Sequence, residues 1–371
     1  MFIELHIIQN FASSNLNRDD TNAPKDAVFG GYRRARISSQ CLKRAVRTYV
    51  QRHDLLDEEA QGVRTKKVLE RAQGLLVEQG KDAEEAAKVV EEALAQLNLA
   101  VTEGKTEYLL YLAKEAVARF AEGCATHWEV LMEAASTREK GKKKGKASLD
   151  KAVMKDLEVL LDGRKAADLA MFGRMLADIP NVNIDAACQV AHAISANEVA
   201  MEMDFYTAVD DLNPAEETGA GMMGVVEFNS SCFYRYATVH WEQLLANLGN
   251  DVPLAQAALA SFVQAFVKAI PTGKQNSMAA HNPPSYIRVH VRQSGEPWNL
   301  ANAFLSPVRP GRHDEVGMDA KAEQRLEEYF ARLTSVYGDE GFLGQPLVVS
   351  LRSADGMSFA DLMSQLMERV R

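Results

Sequence analysis

The chain opens on a strict alternation, with Ile3, Leu5 and Ile7 separated by Glu4 and His6, the two-residue period of a strand over residues 2–8. A polar stretch follows at residues 12–32, with Pro24 and the Gly30–Gly31 pair, and reads as a loop. A helix begins at Ser38 or Ser39, either of which can cap its free N–H groups, and runs to His53. Between residues 57 and 177 Ala, Leu, Glu and Lys dominate, which predicts helices near 57–79, 82–97, 106–135 and 151–161. The glycine–lysine run at 140–146 interrupts that block as a loop. From residue 225 the pattern is mixed. Aromatic and branched residues fill 225–239, helices are predicted at 254–270, 318–337 and 359–371, and strands at 285–291 and 347–351. No internal repeat is visible. The order implies an α+β core built from both chain ends, with a helical domain inserted between them.

At 371 residues the chain is long enough for two domains, and 47% hydrophobic with 25% charged residues excludes disordered and fibrous classes. No apolar stretch approaches the ~18 residues of a membrane span, and residues 1–10 lack a basic leader. Cys41, Cys124, Cys188 and Cys232 form no C-x-x-C pair, so neither a disulfide framework nor a cysteine zinc site is expected, and a cytoplasmic location is. The net charge of −9 argues at first against nucleic acid. Residues 25–47, however, hold seven basic residues against Asp26 alone, so +6 sits there and −15 elsewhere. A second cluster, 138–151, carries +5. An acidic body with two basic patches suits a protein that binds a polyanion at defined places.

On a helical wheel Gln40, Lys43, Arg44 and Arg47 share one arc, while Leu42, Ala45, Val46 and Tyr49 fall opposite and are expected in the core. The cationic face reads either as a solvated surface or as a phosphate track. It has no acidic residue at helical spacing, and Arg33, Arg34 and Arg36 precede it, which favours phosphates. Asp19, Asp20 and Asp26 could hold a metal in a ribonuclease; alternatively they cap turns or pair with the nearby arginines. Phe205, Tyr206 and Thr207 adjoin an acidic, glycine-containing stretch at 210–224, and read either as local anchors or as exposed rings that wedge between bases. H-x-x-x-H, G-x-S-x-G, Walker, G-x-G-x-x-G and RNP1 patterns are absent, so no cofactor is expected.

Several blocks resemble the CasC family, the crRNA-binding backbone of the type I-E CRISPR Cascade complex, an antiviral surveillance assembly. They are Leu16-Asn17-Arg18-Asp19-Asp20, Lys25 through Gly31, Arg33 through Gln40, and Leu42-Lys43-Arg44-Ala45. Ala191 to Ile194, Thr207 to Leu212, Phe233 to Ala237, Gly273-Lys274-Gln275 and Ala301 to Phe304 match in order. The resemblance implies a hand-shaped α+β protein: a modified RRM (ferredoxin-like) palm from residues 1–56 and 178–371, helical fingers inserted at 57–177, and a thumb-like hairpin at 197–227. It implies no catalysis. Its partners would be crRNA, target DNA, further copies of itself in a filament and other Cascade subunits, with no membrane. By position, Lys25, Ser38, Gln40, Lys43, Arg44 and Arg47 would hold the RNA backbone, with Arg33 and Arg34 added on their charge alone, while Met175, Phe205, Tyr206 and Thr207 shape a kink. The resemblance does not settle the cluster at 138–151: Lys142, Lys143, Lys144 and Lys146 read either as a solubilising loop or, repeated along a filament, as a basic track for duplex DNA. The rival expectation is a metal-dependent ribonuclease acting through Asp26 or Asp19.

Overall fold

The computed structural model describes residues 1–139, 149–163, 166–176, 179–208, 222–311 and 316–370. Strands β1 (Phe2–Ser14), β2 (Asp26–Phe29) and β3 (Tyr32–Ile37) lead into helix α1 (Ser39–Arg52). A mixed stretch follows: β4 (Gly62–Thr65), α2 (Val68–Glu78), α3 (Ala83–Gln96), β5 (Val101–Thr102), β6 (Lys105–Thr106), β7 (Leu110–Ala113), α4 (Ala116–Thr126), α5 (Trp128–Glu139), α6 (Lys151–Glu158) and α7 (Ala167–Phe172). Then come β8 (Cys188–Val190), β9 (Ala193–Ser195), β10 (Glu202–Ala208), β11 (Met222–His240), α8 (Trp241–Asn247) and α9 (Val252–Lys268). The chain closes with α10 (Gln275–Met278), β12 (Tyr286–Arg292), α11 (Met318–Tyr337), β13 (Leu347–Ser350) and α12 (Phe359–Arg369), the last opened by a Ser358–Asp361 capping box.

The chain divides into two compact units. The first comprises Met1–His53, Cys188–Trp241 and Leu259–Arg371; the second comprises Asp54–Ala187 and Glu242–Ala258.

The first unit is an α+β body on one antiparallel sheet, ordered β13-β12-β1-β11-β9-β3-β2, with β8 and β10 also paired to β11. The alternation in β1 does not divide core from solvent, because both faces of the sheet are covered. Ile3, Leu5 and Ile7 share a face with Arg235, whose guanidinium donates to the Phe266 carbonyl of α9 and lies 4.7 Å from that ring. Glu4 and His6 are equally buried on the other face, beneath α11 and the turn at Leu300–Phe304. Glu4, His6, Tyr234 and Arg288 survive there because they find partners. Glu4 accepts from Arg292 Nε and the Trp298 N–H, both at 2.6 Å, and Arg288 Nε donates to His290 Nε2 at 2.6 Å. Tyr234 Oη accepts from the Leu300 N–H at 3.0 Å and lies 2.9 Å from His6 Nδ1. Burial, and then the Arg288 and Arg292 charges, push His6 down to about 3 and lower His290 as well.

Two expectations from the pattern change in this unit. β1 runs six residues beyond Ile8, because its polar end is hydrogen-bonded: Gln9 Nε2 donates to the Asn282 carbonyl at 2.7 Å and its oxygen accepts from Arg235. The loop at 12–32 contains β2, joined to β3 by the two-residue Gly30–Gly31 turn with φ +61° and +84°. A Cβ on Gly30 would sit 1.9 Å from the Leu305 carbonyl oxygen, so that turn admits no larger residue.

The second unit is helical around one apolar core that includes Leu76, Val89, Leu94, Phe120 and Leu157. It is not helical throughout, since β4 pairs with β7 and β5 with β6. β7 is buried at all four positions, and such a run has the same pattern in a strand as in a buried helix. No helix among the described residues is long and apolar enough to cross a membrane.

Candidate nucleic-acid interface

The interface is built on α1. Ser38 caps it, accepting from the Cys41 N–H at 3.3 Å, while its own N–H donates to Asn17 Oδ1 at 2.8 Å. Leu42, Val46 and Val50 are buried and anchor one side, and the first turn holds no acidic residue. Gln40 and Arg44 are exposed, and Lys43 and Arg47 half-buried, along the adjoining side. Ala45 and Tyr49 correct the wheel: they are half-buried and line a cavity rather than the core.

The preceding hairpin separates its basic residues. Lys25 is half-buried, and its backbone bridges Asn17 and Arg36 at 2.8 and 2.9 Å. Arg33 is exposed and ion-paired to Asp26. Arg36 donates to the Asp26 carbonyl at 3.0 Å and lies 3.0 Å from His192 Nδ1; burial, then the Arg36 and Lys25 charges, lower that imidazole's pKa. Arg34, expected on the RNA backbone, is instead completely buried. Its guanidinium donates to the carbonyls of Ser195 and Ala196 at 2.9 Å, Phe304 at 2.6 Å and Leu305 at 3.3 Å. Burial lowers its pKa, and its donors serve the chain rather than a phosphate. Strand alternation was the available signal, since Arg33 and Arg34 must point to opposite faces of β3.

The candidate acids of a ribonuclease are occupied within the loop. Asp19 Oδ1 accepts from the Thr21 hydroxyl at 2.8 Å and from the Thr21 and Ala23 N–H groups at 2.9 and 3.0 Å, which holds its carboxyl below the usual range. Asp26 faces Arg33. Among the described residues, no three His, Cys, Asp or Glu side chains converge as metal ligands would.

β10 and β11 form a hairpin whose register sets Phe205 against Val225, Tyr206 against Gly224 and Thr207 against Met223. Phe205 and Tyr206 are 62% and 40% exposed on opposite faces, with Met203, Met223 and Val225 exposed beside Phe205. Tyr206 lies across Gly224, where a Cβ would come within 2.5 Å of the ring. Residues 209–221 lie outside the described residues, as do Lys142, Lys143, Lys144 and Lys146.

Met175 belongs to the second unit and is 84% exposed. Its neighbours hold it out. Arg174 is buried and donates to the carbonyls of Tyr111, Leu161 and Val182 at 3.0, 2.5 and 2.8 Å, and burial lowers its pKa to about 10. Gly173 has φ +75°, and a Cβ there would meet the Ile184 carbonyl at 2.8 Å.

The family model described as CT1975-like protein matches residues 3–368. A solved chain from a "CRISPR RNA-guided surveillance complex, pre-nicking" is 31% identical with a TM-score of 0.85, covering 100% of both chains. A second, from a "CRISPR RNA-guided surveillance complex", is 26% identical with a TM-score of 0.74 over 99% of each. No match was found among curated proteins.

Proposed function

The chain belongs to the CT1975-like family, whose CasC-like members are subunits of CRISPR RNA-guided surveillance complexes, and from that premise we propose a non-catalytic backbone subunit that lines up along a guide RNA. On this reading the first unit contains a modified RRM palm and a thumb, the second unit supplies the fingers, and copies assemble with other Cascade subunits of type I-E. The observation that carries it is α1: a capped helix with Gln40, Lys43, Arg44 and Arg47 along one side and no carboxylate in its first turn. Such a face suits phosphates, contacts that carry no sequence information, which is what a protein needs when guide pairing supplies the specificity. The exposed Phe205–Tyr206 pair supports stacking at a kink in the strand. Lys142, Lys143, Lys144 and Lys146 would then draw in target DNA.

The test is binding of single-stranded RNA across a salt series. Lys43→Ala combined with Arg47→Ala should lower the slope of log K against log salt by about 1.4, at about 0.7 per phosphate contact, equally for unrelated guides. A loss confined to some guides would refute backbone binding. Magnesium-dependent cleavage of complementary RNA, abolished by Asp26→Ala, would refute the non-catalytic role.

A further inference from the structure

Helix α1 has a third sector besides its buried and cationic sides. Cys41, Arg44, Ala45, Thr48, Tyr49 and Arg52 follow the i, i+3, i+4, i+7, i+8, i+11 spacing of one continuous stripe and line a cavity of about 530 Å³. Its other walls are the loop from Leu16 to Asn22 and the segment from Ala269 to Gly273. The two walls are pinched together at Gly273, where a Cβ would come within 2.5 Å of the Leu16 carbonyl oxygen and 2.6 Å of that of Asn15. The wall chemistry is divided. Ala45, Tyr49, Ile270 and Pro271 make an apolar and aromatic side, and Tyr49 is backed by His53 with ring centroids 4.1 Å apart. Arg18, Arg44 and Arg52 bring three guanidinium groups against the single carboxylate of Asp19. That carboxylate is already engaged by Thr21 and Ala23.

We infer that this cavity is a subsite for one nucleotide of single-stranded RNA, its base against Tyr49 and its phosphate among Arg18, Arg44 and Arg52. The volume falls within the range of small-molecule sites, a ring gives sequence-tolerant stacking, and planar guanidinium forks match phosphate oxygens. RNA is the occupant because Arg44 borders both the cavity and the cationic side of α1, so a strand followed along that side can turn one nucleotide inward without leaving its phosphate contacts. The inference rests on the backbone-subunit reading of the preceding section.

The experiment titrates adenosine 5′-monophosphate into the full chain stripped of RNA by high salt, followed by calorimetry or ligand-detected NMR. The expected result is saturable binding that weakens at least tenfold in Thr48→Trp, which fills the mouth from an exposed position, and in Tyr49→Ala. Inorganic phosphate should bind at least tenfold more weakly than the nucleotide. The inference is overturned if the nucleotide does not bind, if Thr48→Trp binds it as well as wild type, or if Tyr49→Ala does. Any of these results alongside intact RNA binding sinks the subsite alone, whereas a wild-type chain that holds no RNA sinks the backbone reading.

Discussion

Replacing Arg34 by methionine separates a structural arginine from a phosphate ligand. The guanidinium is fully buried and donates to four carbonyls, two at the end of β9 and two at the turn after Leu300. Methionine fills much of the volume and supplies no donor, so the four carbonyl oxygens lose the guanidinium, although that of Ala196 keeps the Val308 N–H at 2.8 Å. Hydrogen bonds to a charged group contribute about 1.5–3 kcal/mol each, but relaxation and entering water cap the loss, and about 3–5 kcal/mol is the expected cost. For a body of this size that lowers Tm by roughly 6–20 °C. Arg34→Lys should recover little, because an ammonium has three donors and no planar fork to span two segments. Differential scanning fluorimetry measures the first effect and RNA binding across a salt series the second. A variant melting within 2 °C of wild type, with its salt slope lowered by about 0.7, would show Arg34 on RNA and refute the reasoning.

The remaining expectations concern pH and the hairpin. His6 and His290 have folded-state pKa values pushed below the ordinary 6.5, so under mild acid the unfolded chain binds protons that the folded chain does not. Their stabilisation is therefore present above about pH 6.5 and lost as pH falls from there toward 3, at up to ~1.4 kcal/mol per pH unit for each histidine. Urea unfolding at pH 7.5 and pH 5 should show that loss, and His290→Gln should flatten it; equal stability at both pH values would contradict it. Gly224→Ala should displace the Tyr206 ring and weaken RNA binding by up to the ~1–3 kcal/mol of one stacked base, with little change in Tm. In a Tyr206→Ala background the same substitution should do nothing further, and additive losses would show that Gly224 acts by another route.

Local chemistry alone determined much of this protein. Ser38 before α1, Ser358 before α12, the span of α11 and the strands near residues 286 and 347 follow from caps and periodicity, which are properties of neighbouring residues. The basic segment at 25–47 and the aromatic pair at 205–206 were legible as candidate site residues for the same reason. Tertiary structure decided the rest. Glu4 and His6 look solvent-facing by alternation, and only the arrival of α11 and the Leu300–Phe304 turn buries them with Arg292 and Tyr234 as partners. Ala45 and Tyr49 read as core, yet they are half-buried and line the cavity beside α1, closed on its far side by segments distant in sequence. Arg33 and Arg34 are adjacent and chemically identical, but one meets Asp26 at the surface and the other four carbonyls from segments more than 150 residues away. A sequence sets what each side chain can donate, accept or stack upon; the groups that meet it are supplied by long-range packing, and those decide whether a charge serves the fold or remains for a ligand.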